Sequence, residues 1–308
     1  MTESAAIELE GLTRRFGSRT VIERLSLEVP RGSIFGLLGP NGSGKTTTLS
    51  CTLGLLRPTA GSARVLGEPA GRIHRLQGRL GVVFDSAVAL PGLTALQNLA
   101  YVRRLLGHDR GRGDAEVLAA VGLEEHARQR ARDLSLGQQK RLAIAAALLG
   151  EPELIVLDEP LSGLDTLGVR RMLRLFRRLN DEGLTILLSS HRLHEMQTVV
   201  THAGILLDGA IARAGTLDEL LGDRAGGHRF TVEDPRRAAA VLGALPGVGS
   251  VEVQSEVVVV GLAGATPAEL NRGLVEAGVA VHASEPAVST LQGVFEALVD
   301  EREAEEVA

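Results

Sequence analysis

Gly39-Pro40-Asn41-Gly42-Ser43-Gly44-Lys45-Thr46 has the spacing G-x-x-x-x-G-K-T and lies between two contrasting patterns. Before it, Ser33–Leu38 is a mostly apolar run bounded by glycine, as in a buried strand. After it, Thr46–Leu56 reads as a helix, ended by the Pro- and Gly-containing segment Arg57–Gly61. Strand, glycine-rich turn and helix are the context in which such a loop cradles phosphates. The glycines let backbone N–H groups point inward, and the helix start adds free donors and a positive dipole end. Lys45 reaches the β and γ phosphates as a compact point charge, where a forked guanidinium fits poorly. Thr46, followed by Thr47, presents its hydroxyl to Mg2+. Lys45 and Lys140 are the only lysines among 33 Lys and Arg residues, so lysine stands where arginine would fail.

A second site complements the loop. Leu154–Leu157 is a short apolar strand that ends in Asp158-Glu159. Asp158 at the strand end suits Mg2+, directly or through water, and Glu159 suits polarisation of the attacking water. Two adjacent carboxylates divide metal and base work when their environments differ. Together, loop and acidic pair point to hydrolysis of a nucleoside triphosphate.

The surrounding pattern is α/β. Ile7–Leu12 and Val21–Val29 alternate apolar and polar residues, as an antiparallel edge sheet does. About Thr94 to Arg132 is mostly helical, interrupted by the Gly107–Gly113 loop, and Leu142–Leu149 reads as a buried helix. Met172–Leu179 is helical and Leu184–Ser189 is another buried strand, so strands alternate with helices over a parallel sheet. Around Gly222–Gly227 the pattern loosens, which predicts domains at 1–224, with a helical subdomain at about 94–150, and at 225–308. The second predicted domain reads strand (Arg229–Glu233), helix (Pro235–Leu245), strand (Gly249–Gln254), strand (Val257–Leu262), helix (Pro267–Ala277), strand (Val279–Ser284), helix (Val288–Val299). Its first six elements give the βαββαβ order of ferredoxin-like α+β domains. The acidic end, Glu301–Glu306, reads as frayed.

Composition excludes several classes. A length of 308 residues suggests about two domains, and 44% hydrophobic residues suffice for full cores. The net charge of -5 gives no overall nucleic-acid footprint. Arg170, Arg171, Arg174, Arg177 and Arg178 surround Met172, Leu173, Leu175 and Leu179 in the spacing of an amphipathic helix with a solvated basic face. No apolar run approaches the ~18 residues that cross a bilayer, and residues 1–10 carry no secretory signal. The single Cys51 excludes an internal disulfide and reads as a small buried side chain. A cytoplasmic location is expected.

Three further motifs follow in a set order: Leu134-Ser135-Leu136-Gly137-Gln138-Gln139, then Ser162-Gly163-Leu164-Asp165 after the acidic pair, then Ser190-His191. With the phosphate loop they resemble the ATPases of the ATP-binding-cassette (ABC) type over about residues 7–221. The resemblance implies a P-loop NTPase fold with an antiparallel edge sheet and a helical subdomain. It also implies ATP and Mg2+ as bound species and a head-to-tail homodimer on ATP binding. In that dimer the signature Ser135, Leu136, Gly137, Gln138 covers the nucleotide of the other copy, with Ser135 and the Gly137 backbone donating to the γ-phosphate. Asp165 would link the two sites and His191 would contact the γ-phosphate. Phe16, in Arg15-Phe16-Gly17, would stack on adenine, the alternative being a core or edge-strand phenylalanine.

Two positions depart from the family pattern. Leu136 stands where glycine is usual, although Ser135 and Gly137 keep the donating groups. Asp85 stands in Gly81–Thr94 where a glutamine is usual. An aspartate accepts but does not donate, and it would meet Mg2+ through water.

The tail Thr290-Leu291-Gln292-Gly293-Val294-Phe295-Glu296-Ala297-Leu298 resembles that of ATPases serving exporters of antibiotics, bacteriocins and other hydrophobic compounds. The implied protein is the energising subunit of such an exporter, peripheral at the inner face of the cell membrane, with a separate transmembrane permease and no nucleic acid. Two alternatives stand beside it. One is a cassette ATPase acting on ribosomes or DNA, a class that usually carries two cassettes or a coiled-coil insertion, where this chain has one phosphate loop and no sustained heptads. The other is the ATPase of an amino-acid-regulated importer.

Overall fold

The computed structural model describes residues 5–84, 89–107, 111–222, 227–287 and 290–307. The chain separates into two compact units, 1–217 and 218–308. The boundary read from the sequence, between 224 and 225, falls outside the described residues.

The first unit begins with β1 (Ile7–Phe16), β2 (Arg19–Val29), β3 (Ile34–Leu38), α1 (Lys45–Thr52), β4 (Ala60–Val65), β5 (Glu68–Pro69) and β6 (Leu80–Val83). It continues with α2 (Ala95–Leu106), α3 (Asp114–Ala120), α4 (Leu136–Leu148), β7 (Leu154–Leu157) and α5 (Thr166–Asp181). β8 (Thr185–Ser190), α6 (Leu193–Gln197), β9 (His202–Leu207) and β10 (Ala210–Thr216) complete it, and α7 (Leu217–Leu221) starts on its last residue, Leu217, and otherwise belongs to the second unit. Two sheets result. The antiparallel one has the order β2-β1-β4-β5, and the larger has the order β10-β9-β3-β8-β7-β6. Its strands run parallel except for β10.

The apolar patterning explains this layering. All five residues of β3 and all four of β7 are buried, as strands covered on both faces require. Ile7, Leu12, Ile22 and Val29 of the edge sheet pack with Phe35 and Leu37 of β3, Leu49 of α1 and Val156 of β7 in one core. In α5, Val169, Met172, Leu175, Phe176 and Leu179 are buried, and the five arginines of this helix named above are exposed.

Several elements differ from the sequence reading. The helix expected over Thr46–Leu56 stops at Thr52. Gly54 stands at φ +66, and the N–H groups of Leu55 and Leu56 turn back to Ser50 O at 2.9 and 3.0 Å, a glycine-terminated helix end. β4 was not anticipated. Ala-Gly-Ser-Ala-Arg-Val has little strand propensity, and it is held as a strand by antiparallel pairing with β1, Glu10 opposite Ser62. β6, β9 and β10 were also not singled out in the sequence.

The second unit is β11 (Gly227–Val232), α8 (Pro235–Gly243), β12 (Val248–Gln254), β13 (Val257–Leu262), α9 (Pro267–Glu276), β14 (Val281–Ala287) and α10 (Leu291–Val307). The sheet order β12-β13-β11-β14, antiparallel throughout, is the expected split βαββαβ arrangement. Both core helices start with proline after a capping side chain, Asp234 before α8 and Thr266 before α9. They close a core of Phe230, Leu242, Val258, Val260, Leu270 and Leu274. The start expected for the last helix, Val288, lies outside the described residues. The acidic end read as frayed is helical, since α10 continues through it to Val307. Among the described residues no helix is long and apolar enough to cross a membrane.

Candidate functional site

The adjacency of β3, β8 and β7 brings distant chemistry to one edge. Leu38 pairs in register with Ser190 and Leu157 with Leu188. The phosphate loop, the acidic pair and Ser190-His191 therefore all leave the sheet at its carboxyl end, where parallel α/β sheets bind ligands.

The loop is built by close backbone approach. A Cβ at Gly39 would meet Leu206 O at 2.3 Å and Ser43 Oγ at 2.9 Å, so a side chain there would displace the loop. Gly44, at φ +105, is the N-cap of α1 and supplies no side-chain cap. The first helical N–H groups are thereby left for another acceptor. Pro40, Asn41 and Gly42 are exposed at the tip, and Thr47 lies half-buried in the first turn of α1. Lys45 is only 6% exposed. Its Nζ donates to Gly39 O at 2.9 Å and Pro40 O at 3.0 Å and lies 3.5 Å from Glu159 Oε1. Ser43 Oγ is buried and finds no hydrogen-bond partner among the described residues. A buried ammonium held by loop carbonyls beside an orphaned hydroxyl fits a phosphate group, which would satisfy both.

The acidic pair is divided as its chemistry requires. Asp158 is buried and accepts from Thr46 Oγ1, 2.9 Å from its Oδ2, and from Ser189 Oγ, 2.6 Å from its Oδ1. Glu159 is more open. Its Oε2 lies 3.0 Å from His191 Nδ1, which donates when the proton sits on that nitrogen. Its backbone N–H donates to Ser189 Oγ at 2.9 Å. Among the described residues no group of three His, Cys, Asp or Glu could hold a metal alone. The Thr46–Asp158 oxygen pair suits Mg2+, which takes one or two protein ligands and completes its shell with water and substrate phosphates.

Ser135 is the N-cap of α4, and Gln138 closes a capping box with it: Ser135 N–H donates to Gln138 Oε1 at 2.8 Å, and Gln138 N–H to Ser135 Oγ at 3.3 Å. Leu136 is 48% exposed. Its Cδ2 would lie 2.9 Å from a Cβ on Gly163, and Gly137 faces Leu164, so signature and Ser162–Asp165 segment pack together within one chain. Asp165 caps α5, accepting from Gly168 N–H at 2.7 Å. Phe16 ends β1 half-exposed, with the Arg14 guanidinium 4.4 Å from its ring centre. Asp85 lies outside the described residues.

The model of the ABC transporter family matches residues 22–162. The chain is 37% identical over 238 residues to the bacitracin transport ATP-binding protein BcrA of Enterococcus faecalis, covering 77% of each chain. It is 33% identical to the linearmycin resistance ATP-binding protein LnrL of Bacillus subtilis (strain 168), covering 72% of each. Among solved structures it is similar to the dimeric structure of a post-hydrolysis state of an ATP-binding cassette bound to ADP and Pi. That similarity has a TM-score of 0.61 and 27% identity, and covers 69% of this chain and 99% of the other. The chain belongs to the ABC transporter ATP-binding family. This cassette is an ATPase.

Two residues of the cassette's site were not assigned a role from sequence. Ser189 is fully buried and joins the two carboxylate residues, donating to Asp158 and accepting from the Glu159 N–H. The signal was present as two serines following the apolar run Ile186–Leu188. Lys140 donates to Glu159 O at 3.2 Å, and its rarity in the composition was the corresponding clue.

Proposed function

We propose that this ATPase energises export of an antibiotic or another hydrophobic compound through a separate membrane-spanning permease, working as a pair of copies at the inner face of the membrane. The observation that carries the proposal is an apolar cleft between α2, α4 and β6. It has a volume of about 1280 Å³ and is lined by Leu90, Leu99, Tyr101, Val102, Leu106 and Leu142. Tyr101 is 49% and Leu106 53% exposed, and Leu105 nearby is 69% exposed. An exposed apolar surface of this kind marks a contact with another protein, and a short apolar segment of the permease would fill it. The names of the relatives, bacitracin transport and linearmycin resistance, point the cargo towards antibiotics.

In this reading Phe16 stacks on adenine, and the Gly39–Thr46 backbone with Thr47 binds the phosphates. Lys45 exchanges its loop carbonyls for phosphate oxygens. Thr46 and Asp158 would hold Mg2+, and Asp85 would be a further contributor to the same ion. Glu159 takes the proton of the attacking water, and His191 orients that carboxylate and meets the γ-phosphate. The partner copy's signature (Ser135, Leu136, Gly137 and Gln138) completes the site, and Asp165 connects the two sites.

Glu159→Gln tests the reading. It keeps the shape of the side chain and removes the base, so a closed pair should persist around Mg2+-ATP while the wild type turns over and separates. Size measurement with and without Mg2+-ATP reads this out. A variant that keeps the size of a single copy at saturating Mg2+-ATP would sink the paired-site mechanism.

A further inference from the structure

Both lysines of this chain end on the same residue. Lys45 Nζ lies 3.5 Å from the Glu159 carboxylate, and Lys140 Nζ lies 3.2 Å from the Glu159 carbonyl oxygen. Glu159 itself stands at φ +45, a left-handed backbone that residues with a Cβ rarely adopt. Such a conformation persists when its surroundings over-determine it, and here they do. The N–H of Glu159 is held by Ser189 Oγ of β8. Its carbonyl accepts from Lys140 of α4 and from the Ser162 N–H at 3.1 Å. The Ser189 proton is committed to Asp158 Oδ1 at 2.6 Å, which leaves its oxygen to accept from Glu159. The direction of the Glu159 side chain is thus set by its own backbone, and the backbone by β8 on one side and α4 on the other.

We propose that Lys140 is a positioning residue for hydrolysis, and that through it α4 links the two nucleotide sites of a pair. The helix carries Ser135 as its N-cap, and Lys140 follows about 1.4 turns later. The N-terminal end of α4 is the part that covers the partner's nucleotide in the proposed pair, and the link rests on that reading. A displacement of α4 on engaging that nucleotide acts at once on the carbonyl of its own chain's Glu159. A compact ammonium on a flexible stem suits a single carbonyl acceptor, whereas a guanidinium is larger and forked.

The experiment uses the full chain with Mg2+-ATP. In Lys140→Met, kcat should fall about tenfold, the scale of one charge-assisted hydrogen bond lost from the reacting arrangement. KM and the affinity for a fluorescent ATP analogue should stay within about twofold, with an unchanged melting midpoint, because no phosphate contact and no core packing is removed. Lys140→Arg keeps a donor and should fall between wild type and Lys140→Met. The link along α4 is read from Ser135→Ala combined with Lys140→Met. Effects carried by one helix are not independent, so the double variant should lose little beyond the larger single loss.

A Lys140→Met enzyme with wild-type kcat overturns the positioning role, as does one in which kcat, nucleotide affinity and melting midpoint fall together. Losses in the double variant that simply multiply overturn the link. A wild-type chain that does not hydrolyse Mg2+-ATP would instead count against the cassette reading itself, so the two failures are distinguishable.

Discussion

At the carboxyl end of the large sheet, Lys45, Asp158, Ser189 and Ser190 are buried, and each makes a hydrogen bond. The second unit closes instead around Phe230, Leu242, Val258, Val260, Leu270 and Leu274, with His228 its only buried polar residue among those described. Both regions pair strands with helices, yet they spend burial differently. Removing a polar group from water is costly unless it is paired, so a buried network of this density signals chemistry that needs fixed dipoles. An apolar core of the second kind secures a fold and leaves any binding role to its surface.

The contrast can be broken from either side. Lys45→Ala removes the buried ammonium and should lower ATP turnover about 1000-fold, roughly 4 kcal/mol of transition-state stabilisation. A phosphate-release assay measures it, and the melting midpoint should barely move. Retained turnover would mean that the network is structural. Leu242→Ala, at a fully buried site of the second unit, should destabilise that unit by about 3 kcal/mol. Hydrogen exchange over 227–287 would record the loss while ATP turnover persists. If turnover falls in step, the two units are not energetically separate.

The smallest expected effect lies at the other end of the large sheet. Glu153 is bonded by Arg79 and Arg31, and these, Arg79 foremost, pull its carboxyl from the ordinary 4.5 to about 2. A carboxylate depressed in the folded state contributes stability above its unfolded pKa and loses it as pH falls through the folded one. The contribution is therefore lost between about pH 4.5 and 2. Because the side chain is 41% exposed, solvent screening keeps it under about 1 kcal/mol. Glu153→Gln should flatten stability against pH in that window alone, as denaturant titrations at several acidities would show. A loss as large as that of Leu242→Ala would place this surface ion pair with the buried network.

Legibility in the sequence followed locality. The phosphate loop and Asp158-Glu159 are contiguous, and their flanking apolar runs identify the strands that carry them. The βαββαβ order of the second unit was readable because its periodicity changes at proline- and glycine-marked boundaries, Pro235, Gly247, Pro267 and Gly278. β4 was not readable, because Ala60–Val65 is a strand by virtue of its neighbour β1 and not of its own side chains. The helix end at Thr52 was misplaced because Leu53, Leu55 and Leu56 continue an apolar pattern past a glycine that turns the chain.

By itself, the sequence determined which residues could do phosphate chemistry, because the loop, the acidic pair and the capping residues act through neighbours a few positions away. Tertiary structure alone decided that Lys140, Ser189 and His191 meet at Glu159 from 19, 30 and 32 positions away. That convergence depends on β8 lying between β3 and β7 and on α4 packing against β6, the strand next to β7. Strand order and helix packing are fixed by burial of whole faces, a property of the assembled chain that no short stretch of residues carries.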